Sequence, residues 1–251
     1  MNLKNKIVVV TGSGRRVGRE LAKTFAARGA RIVLHCRNSE RDARELLAEL
    51  GGEAAGHRLF VCDLADPDQL ERQAPAMLAG ASVLINNASV FIRKKITEET
   101  PEDIHAQFAV NFYAPVRLMQ IFARYAERPG AIINLLDQGI CRPDENSFSY
   151  GLSKKALAEA TRAAALQLAP EIRVNGIAPG PVLPPVDMPQ SRMEKTLRSI
   201  PLRRPVSLPD LCQTAVFLAE NESVTGTVLF IDCGQSLCQT PAVPAPQDRE
   251  A

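Results

Sequence analysis

Charge imbalance is almost absent from this sequence: its 251 residues carry 30 lysines and arginines against 28 aspartates and glutamates, a formal net charge of +2. So small an excess, with no clustered basic run, excludes a nucleic-acid footprint, and charge alone names no partner. Long hydrophobic runs are missing too, so nothing reads as a span across a bilayer. The opening Met1-Asn2-Leu3-Lys4-Asn5-Lys6 runs straight into a short apolar stretch, without the apolar region and small-residue cleavage site of a secretory signal. Cys36, Cys62, Cys141, Cys212, Cys233 and Cys238 lack metal-type spacing, so no metal is expected. In a chain lacking an export signal, scattered cysteines are expected to stay reduced, which makes the expected setting cytoplasmic. Cys233 and Cys238 are close enough in sequence to pair, although the commoner fate of cysteine is to fill a core. Internal repeats are absent as well.

What is present is an apolar content of 45%, enough at this length to bury one substantial core, so a single domain is expected over residues 1–235. Seven short apolar runs recur: Lys6–Thr11, Arg31–Cys36, Arg58–Cys62, Ser82–Asn86, Ala131–Leu136, Ile172–Ala178 and Thr227–Asp232. Most are continuously apolar, the pattern of strands covered on both faces of a parallel sheet. Helical spacing fills the intervals. Asp66, Thr100 and Ser207 each stand where a capping side chain would precede a first turn that carries Pro and acid. Strand alternating with helix predicts an α/β fold with a doubly wound, seven-stranded parallel sheet of Rossmann type. Two stretches break the rhythm. Pro179 to Pro201 is Pro-rich and long enough to be a lid, and residues 236–251 form a Pro/Ala-rich tail that predicts no fixed structure.

The first strand ends in Thr11-Gly12-Ser13-Gly14-Arg15-Arg16-Val17-Gly18, and a helical segment follows. Glycine lets the backbone approach a pyrophosphate, and the helix start offers unpaired N–H groups. Gly12, Ser13, Arg15, Arg16, Val17 and Gly18 are therefore candidate dinucleotide contacts. About 20 residues on, where an acid would bind the ribose of NAD, the chain reads Leu34-His35-Cys36-Arg37-Asn38-Ser39 with no acid before Glu40. A carboxylate would repel a 2′-phosphate, whereas His35, Arg37, Asn38 and Ser39, with Arg15, would attract one. NADPH is the expected cofactor, the alternative being that Arg37 and Asn38 are a solvated loop.

Tyr150 and Lys154 lie four apart at the start of a helical segment, Ser149 to Ala169, so both project from one face. A cation beside a phenol stabilises the phenolate and lowers its pKa, which makes the two a proton-transfer pair. The spacing alone is common in helices; its company makes it specific.

The order of glycine-rich turn, Asn86-Asn87-Ala88, Asn111 and Tyr150/Lys154 resembles the short-chain dehydrogenase/reductase family over residues 5 to 235. The resemblance implies that Tyr150 donates a proton, that Lys154 binds the nicotinamide ribose and tunes the tyrosine, and that Asn111 holds a relay water. It also extends the cofactor set to Asp63, Leu64, Asn87, Ala88, Ser89, Pro179, Gly180 and Val182. Three departures narrow it. Asp137 stands 13 residues before Tyr150 where the family has serine, with Ser147 and Ser149 too close to substitute. Arg16 replaces a glycine of the turn, and Asn-Asn-Ala-Gly becomes Asn86-Asn87-Ala88-Ser89, followed by Val90-Phe91. All three are similar to the pteridine reductases, whose substrate loop Gly180 to Asp187-Met188-Pro189 also resembles.

The likeness implies a catalytic set of Asp137, Tyr150, Lys154 and Asn111. Arg16, Ser89, Phe91, Pro181 and Leu183, with Asp137 and Tyr150, would hold a pterin or folate-like ring. A pterin needs a proton on a ring nitrogen as hydride reaches the neighbouring carbon, and a flat ring stacks on Phe91. Phe91 as ordinary core and Asp137 as a loop cap are the plainer alternatives. A same-fold reductase of a ketone, quinone or 3-oxoacyl thioester is the rival function, and a non-catalytic NADPH sensor or scaffold the second. The segments Glu102 to Glu127 and Ser149 to Ala169 carry apolar surface at Phe108, Val110, Leu157 and Leu166, which the resemblance turns into the interfaces of a homotetramer.

Overall fold

The computed structural model describes residues 1–184 and 190–238. Its centre is a seven-stranded sheet in the order β3-β2-β1-β4-β5-β6-β7. The strands are β1 (Ile7–Val10), β2 (Arg31–Cys36), β3 (Arg58–Val61), β4 (Ala81–Asn86), β5 (Gly130–Leu135), β6 (Ile172–Pro179) and β7 (Val228–Ile231). Every pairing is parallel. All seven sequence-predicted runs are strands, their ends shifted by a residue or so, as strand ends commonly are.

The continuous apolar runs follow from helices on both faces. Along β1, Val8 and Val10 enter one layer while Val9 enters the other, the period of two that a strand imposes. The first layer is covered by α1 (Arg16–Ala27) and α8 (Leu208–Glu220), through Leu21, Phe25, Leu211 and Val216. The second is covered by α3 (Pro67–Leu78) and α5 (Ala114–Tyr125), through Met77, Leu118 and Phe122. Each such side chain, fully buried, contributes about 1.5–3 kcal/mol against the chain entropy. α2 (Glu40–Glu49) flanks β2 and β3, and α6 (Phe148–Leu168) lies against β6.

The predicted caps form. Asp66 accepts from the amides of Asp68 and Gln69, and Ser207 accepts from Asp210. Thr100 makes a reciprocal capping box with Asp103 at the start of α4 (Pro101–Phe108). The long helix expected from Glu102 to Glu127 is interrupted: a π turn over Ala109–Tyr113 separates α4 from α5. Asn111 sits inside that turn. The expected lid carries a helix of its own, α7 (Gln190–Ser199). Asp187, Met188 and Pro189, and the tail beyond residue 238, lie outside the described residues.

Sheet order reverses at β1, whose neighbours β2 and β4 lead away in opposite directions. In an open parallel sheet the crevice at the carboxyl ends of such strands is the ligand site. Among the described residues no helix is long and apolar enough to cross a membrane.

Candidate active site

Two adjoining cavities open at the carboxyl ends of the strands. The first, about 460 Å³, is lined by Gly12, Arg15, Arg16, Val17 and Gly18 from the β1–α1 turn, and by His35, Arg37, Asn38 and Ser39 after β2. Asp63, Leu64, Asn87, Ala88 and Ser89 complete it, together with Val90 and Val110, which sequence reasoning missed because apolar contacts leave no motif. Two glycines are dictated by geometry. Gly12 has φ +63° with Ala88 packed against it, and a Cβ on Gly18 would fall 2.2 Å from the Gly12 carbonyl oxygen. Asn87 fastens the turn across the crevice: its Nδ2 donates to the carbonyls of Thr11 and Gly12, and its amide, with that of Ala88, donates to Thr11 Oγ1.

His35 needs a correction. The cavity touches it, but its Nδ1 accepts from the Gly12 amide at 3.2 Å and its Nε2 donates to the Cys62 carbonyl at 3.1 Å. Burial lowers its pKa to about 4, so it is neutral and braces the turn instead of attracting a phosphate by charge. Ser13 is likewise internal: its Oγ donates to the His35 carbonyl and accepts from the His35 amide. Arg15 and Arg37 do stand at the rim, but not free of acid. Arg15 pairs with Asp42 at 2.6 Å and Arg37 with Asp63 at 3.4 Å. Asp42, three residues beyond the predicted basic stretch in the first turn of α2, was not foreseen; the Arg15 hydrogen bond holds its carboxyl below the usual value.

Arg16 takes φ +54°, the left-handed region that favours glycine, and so accounts for the family glycine it replaces. Its guanidinium donates to the Pro184 carbonyl at 2.9 Å, joining the turn to the beginning of the lid.

The second cavity, about 270 Å³, is lined by Phe91, Asp137, Tyr150, Pro181 and Leu183, all expected at the substrate, and by Pro179 and Gly180, which were expected at the cofactor. Tyr150 opens α6 and its hydroxyl donates to Asp137 Oδ2 at 3.1 Å, while Asp137 Oδ1 accepts from the Gly139 amide at 2.7 Å. Asp137 thus caps the short turn after β5 and engages the phenol at once. Lys154 lies beneath: its buried ammonium donates to the Leu135 carbonyl at 2.9 Å and stands 5.9 Å from the Tyr150 ring centroid. Phe91 is 51% exposed, so it is not core, and its ring meets that of Tyr150 edge-on at 4.6 Å.

The electrostatics differ from the expectation of a lowered phenol pKa. Burial first, then the charge and hydrogen bond of Asp137, hold the Tyr150 phenol well above its ordinary value. Asp137 is itself raised by burial, against the pull of the Gly139 amide, Tyr150 and Lys154. Burial lowers Lys154 to about 8, partly opposed by Asp137. Burial, reinforced by the carboxylate and not offset by the ammonium, governs the tyrosine, so the phenol keeps its proton.

The Asn111 side chain is fully engaged within the protein. Its Oδ1 accepts from Ser89 Oγ and the Val90 amide, and its Nδ2 donates to the Val90 carbonyl and Ser153 Oγ. That exhausts a side-chain amide, so Asn111 positions Ser89 and Val90 and its side chain has no capacity left for a relay water. Ser147 is buried, and Ser149 Oγ is locked between Gln107 and Glu99, so neither replaces the missing serine. Val182 packs on the core rather than lining either cavity. Sequence reasoning missed Arg93, Gln138, Asp144, Met193, Thr196 and Gln235 in the second cavity, which the fold gathers from separate segments. Among them Asp144 adds a smaller upward push to both Asp137 and Tyr150.

Comparison with known proteins agrees with this geometry. Residues 12–236 match the family described as enoyl-(acyl carrier protein) reductase. The galactitol 2-dehydrogenase of Agrobacterium fabrum is 32% identical, covering 89% of this chain and 93% of its own. The pteridine reductase 1 of Leishmania tarentolae is 31% identical over 92% and 96%. In structure, the FolM alternative dihydrofolate reductase 1 of Brucella canis, solved with NADP, superposes with a TM-score of 0.88 at 33% identity, covering 96% of this chain and 98% of that one. A parallel sheet with the glycine turn at its switch point, and Tyr150 and Lys154 one helical turn apart beyond β5, runs the length of that match: the chain belongs to the short-chain dehydrogenase/reductase family of oxidoreductases.

Proposed function

We propose that this chain is an NADPH-dependent pteridine reductase that converts a dihydropterin or dihydrofolate-like substrate to its tetrahydro form. The observation that carries the reading is the Asp137–Tyr150 hydrogen bond of 3.1 Å in a cavity whose other wall is the exposed Phe91 ring.

The first cavity suits a dinucleotide because the glycine turn, the start of α1 and the residues after β2 all line it. Arg15, Arg37, Asn38 and Ser39 would hold a 2′-phosphate, and the start of α1 a pyrophosphate. The Brucella canis protein with its NADP supports the choice. NADPH, when bound, supplies the hydride.

Reducing a ring C=N bond takes one hydride on carbon and one proton on nitrogen. Tyr150 Oη and Asp137 Oδ2 hold that proton between them, raised by burial so that it is present at neutral pH. Lys154 keeps a positive charge beneath the pair as the proton leaves. Phe91 provides a flat apolar face, contributing about 0.5–1.5 kcal/mol beyond burial when a ring stacks on it. Arg16 and Ser89 add polar contacts.

A panel of dihydropterins, dihydrofolate, ketones, quinones and acetoacetyl thioesters, followed by NADPH consumption, tests the assignment. The expected result is turnover of the pteridines, with Asp137→Ala removing that turnover, about 100-fold or more, while NADPH binding persists. Because the acid must be protonated, kcat is expected to fall as pH rises through the apparent pKa of the pair, and Asp137→Asn to alter that profile. Turnover confined to carbonyl compounds would return the chain to a general reductase, and tight NADPH binding without turnover would favour a sensor or scaffold.

The same proposal includes a cytoplasmic setting and a homotetramer. Leu152 and Leu166 on α6 and Tyr113 on the π turn are 43%, 83% and 60% exposed, an apolar surface that copies of the chain would cover. Val110 and Leu157, expected on the same surface, are buried instead, the first against the dinucleotide cavity and the second in the core. A stable monomer in sedimentation would remove the tetramer.

A further inference from the structure

Phe91 and Tyr150 stand on separate segments, and the proposed chemistry needs the face of one ring at a set distance from the hydroxyl of the other. Their rings meet edge-on at 4.6 Å. What keeps them there lies behind them, in buried side chains that line neither cavity.

Gln107, on α4, is fully buried and joins the two segments. Its Oε1 accepts from the amide of Ile92, the residue after Phe91, at 3.0 Å, and its Nε2 donates to the hydroxyl of Ser149, the residue before Tyr150, at 2.5 Å. The orientation of the side-chain amide is fixed by its partners. A backbone N–H only donates, so Oε1 must face Ile92. On the other side Nε2 also donates to Glu99 Oε1 at 3.3 Å, a carboxylate oxygen that collects the amide and hydroxyl of Ser149 as well.

Four residues on, Asn111 repeats the arrangement. Its Oδ1 accepts from the Val90 amide and its Nδ2 donates to Ser153 Oγ. The two side chains form the rungs of a ladder. On one rail are the backbone amides on either side of Phe91; on the other are Ser149 and Ser153, one helical turn apart on α6 and bracketing Tyr150. Two attachments hold a segment where a single one lets it pivot. With Asn111 alone, the chain could turn about Val90 and carry the Phe91 ring away from the phenol.

We infer that Gln107 is a positioning residue that sets the separation of the Phe91 ring from the Tyr150 hydroxyl, acting through Ile92 and Ser149 without touching substrate. This rests on the pteridine reading, in which the substrate ring lies on Phe91 and takes its proton from Tyr150, and extends it to a residue outside the cavity. A misplacement of about 1 Å between reacting groups costs on the order of 100-fold in rate, so loss of this rung acts on turnover and spares cofactor binding.

The test uses Gln107→Met, which keeps the side-chain length and removes both bonds, and Ser149→Ala, a smaller change that removes the far end of the rung. The chain has three tyrosines, so ring-labelled tyrosine gives a simple NMR spectrum in which Tyr150 is assigned by its loss in Tyr150→Phe. In both variants the Tyr150 signal is expected to move as its contact with the Phe91 ring changes. With it, kcat for a dihydropterin is expected to fall, about tenfold or more in Gln107→Met and less in Ser149→Ala, while the NADP⁺ dissociation constant holds within about twofold. Should Gln107→Met not fold, Ser149→Ala carries the test alone. An unmoved Tyr150 signal overturns the inference whatever happens to the melting temperature. So does a moved signal with kcat unchanged, or a loss of kcat that only follows a loss of NADP⁺ affinity; each of these leaves the pteridine reading standing. A wild-type protein that reduces no dihydropterin overturns that reading, and this inference with it.

Discussion

Replacing His35 by glutamine isolates one buried proton. The imidazole braces the cofactor turn by accepting from Gly12 and donating to Cys62, and the first of these bonds requires the neutral ring. Its pKa falls from 6.5 to about 4 in the fold. Between those values the unfolded chain binds a proton that the native protein does not, so stability rises with pH through the window and is lost as pH falls toward 4. The slope is about 1.4 kcal/mol per pH unit, and the whole window amounts to about 3 kcal/mol. Glutamine can accept from the Gly12 amide but cannot titrate. Urea unfolding of both proteins at intervals from pH 4.5 to 7.5 gives two stability curves. The variant should be less stable at pH 7.5, by about 1–3 kcal/mol for imperfect bonds in a buried site, yet flatter, so that the curves converge on acidification. His57, also lowered by burial, and Asp137, raised by it and therefore of opposite sign, contribute equally to both curves and cancel in the difference. Parallel curves would refute the reasoning, because they would mean that His35 charges in the native protein as readily as in the unfolded one.

Other perturbations test other parts. Gly18→Ala places a methyl 2.2 Å from the Gly12 carbonyl oxygen, so NADPH affinity measured by fluorescence titration should fall by roughly 100-fold, a loss of about 3 kcal/mol. Arg16→Gly relieves a left-handed residue at φ +54° and should raise thermal stability by about 1 kcal/mol. The same change removes the bond to Pro184, so KM for the substrate should rise while the melting temperature improves. Arg37→Glu should shift preference from NADPH toward NADH, read as the ratio of kcat/KM for the two, since a carboxylate repels the extra phosphate.

Much of this was legible in the chain because local rules and global fold agree. The alternation of Val8, Val9 and Val10 between two layers is written in an uninterrupted apolar run, and the caps at Asp66, Thr100 and Ser207 are read from single residues. The proposed catalytic trio is legible for the same reason: Tyr150 and Lys154 are neighbours on one helix, and Asp137 follows a strand beside it. What stayed hidden depends on side chains meeting across distant segments. Nothing in the order of residues says that Asp42 reaches Arg15 or that the Gly12 amide is taken by His35. The residues Gln138 and Gln235, 97 positions apart in sequence numbering, meet one cavity only because the ends of β5 and β7 flank that of β6.

The same contrast explains why Asp137 is worth more than a serine replacement in a list of motifs. A serine hydroxyl at the end of β5 would offer one donor and take little part in the charge of its surroundings. The carboxylate does three things from one position: it fixes the following turn through Gly139, it holds the Tyr150 hydroxyl, and its charge lifts the phenol and opposes the lowering of Lys154. Fixing the turn also fixes Gln138, the next residue, at the cavity wall. Exchanging serine for aspartate therefore does not merely swap one donor for another. It ties the geometry of the turn and the electrostatics of the phenol and the ammonium to the orientation of one side chain.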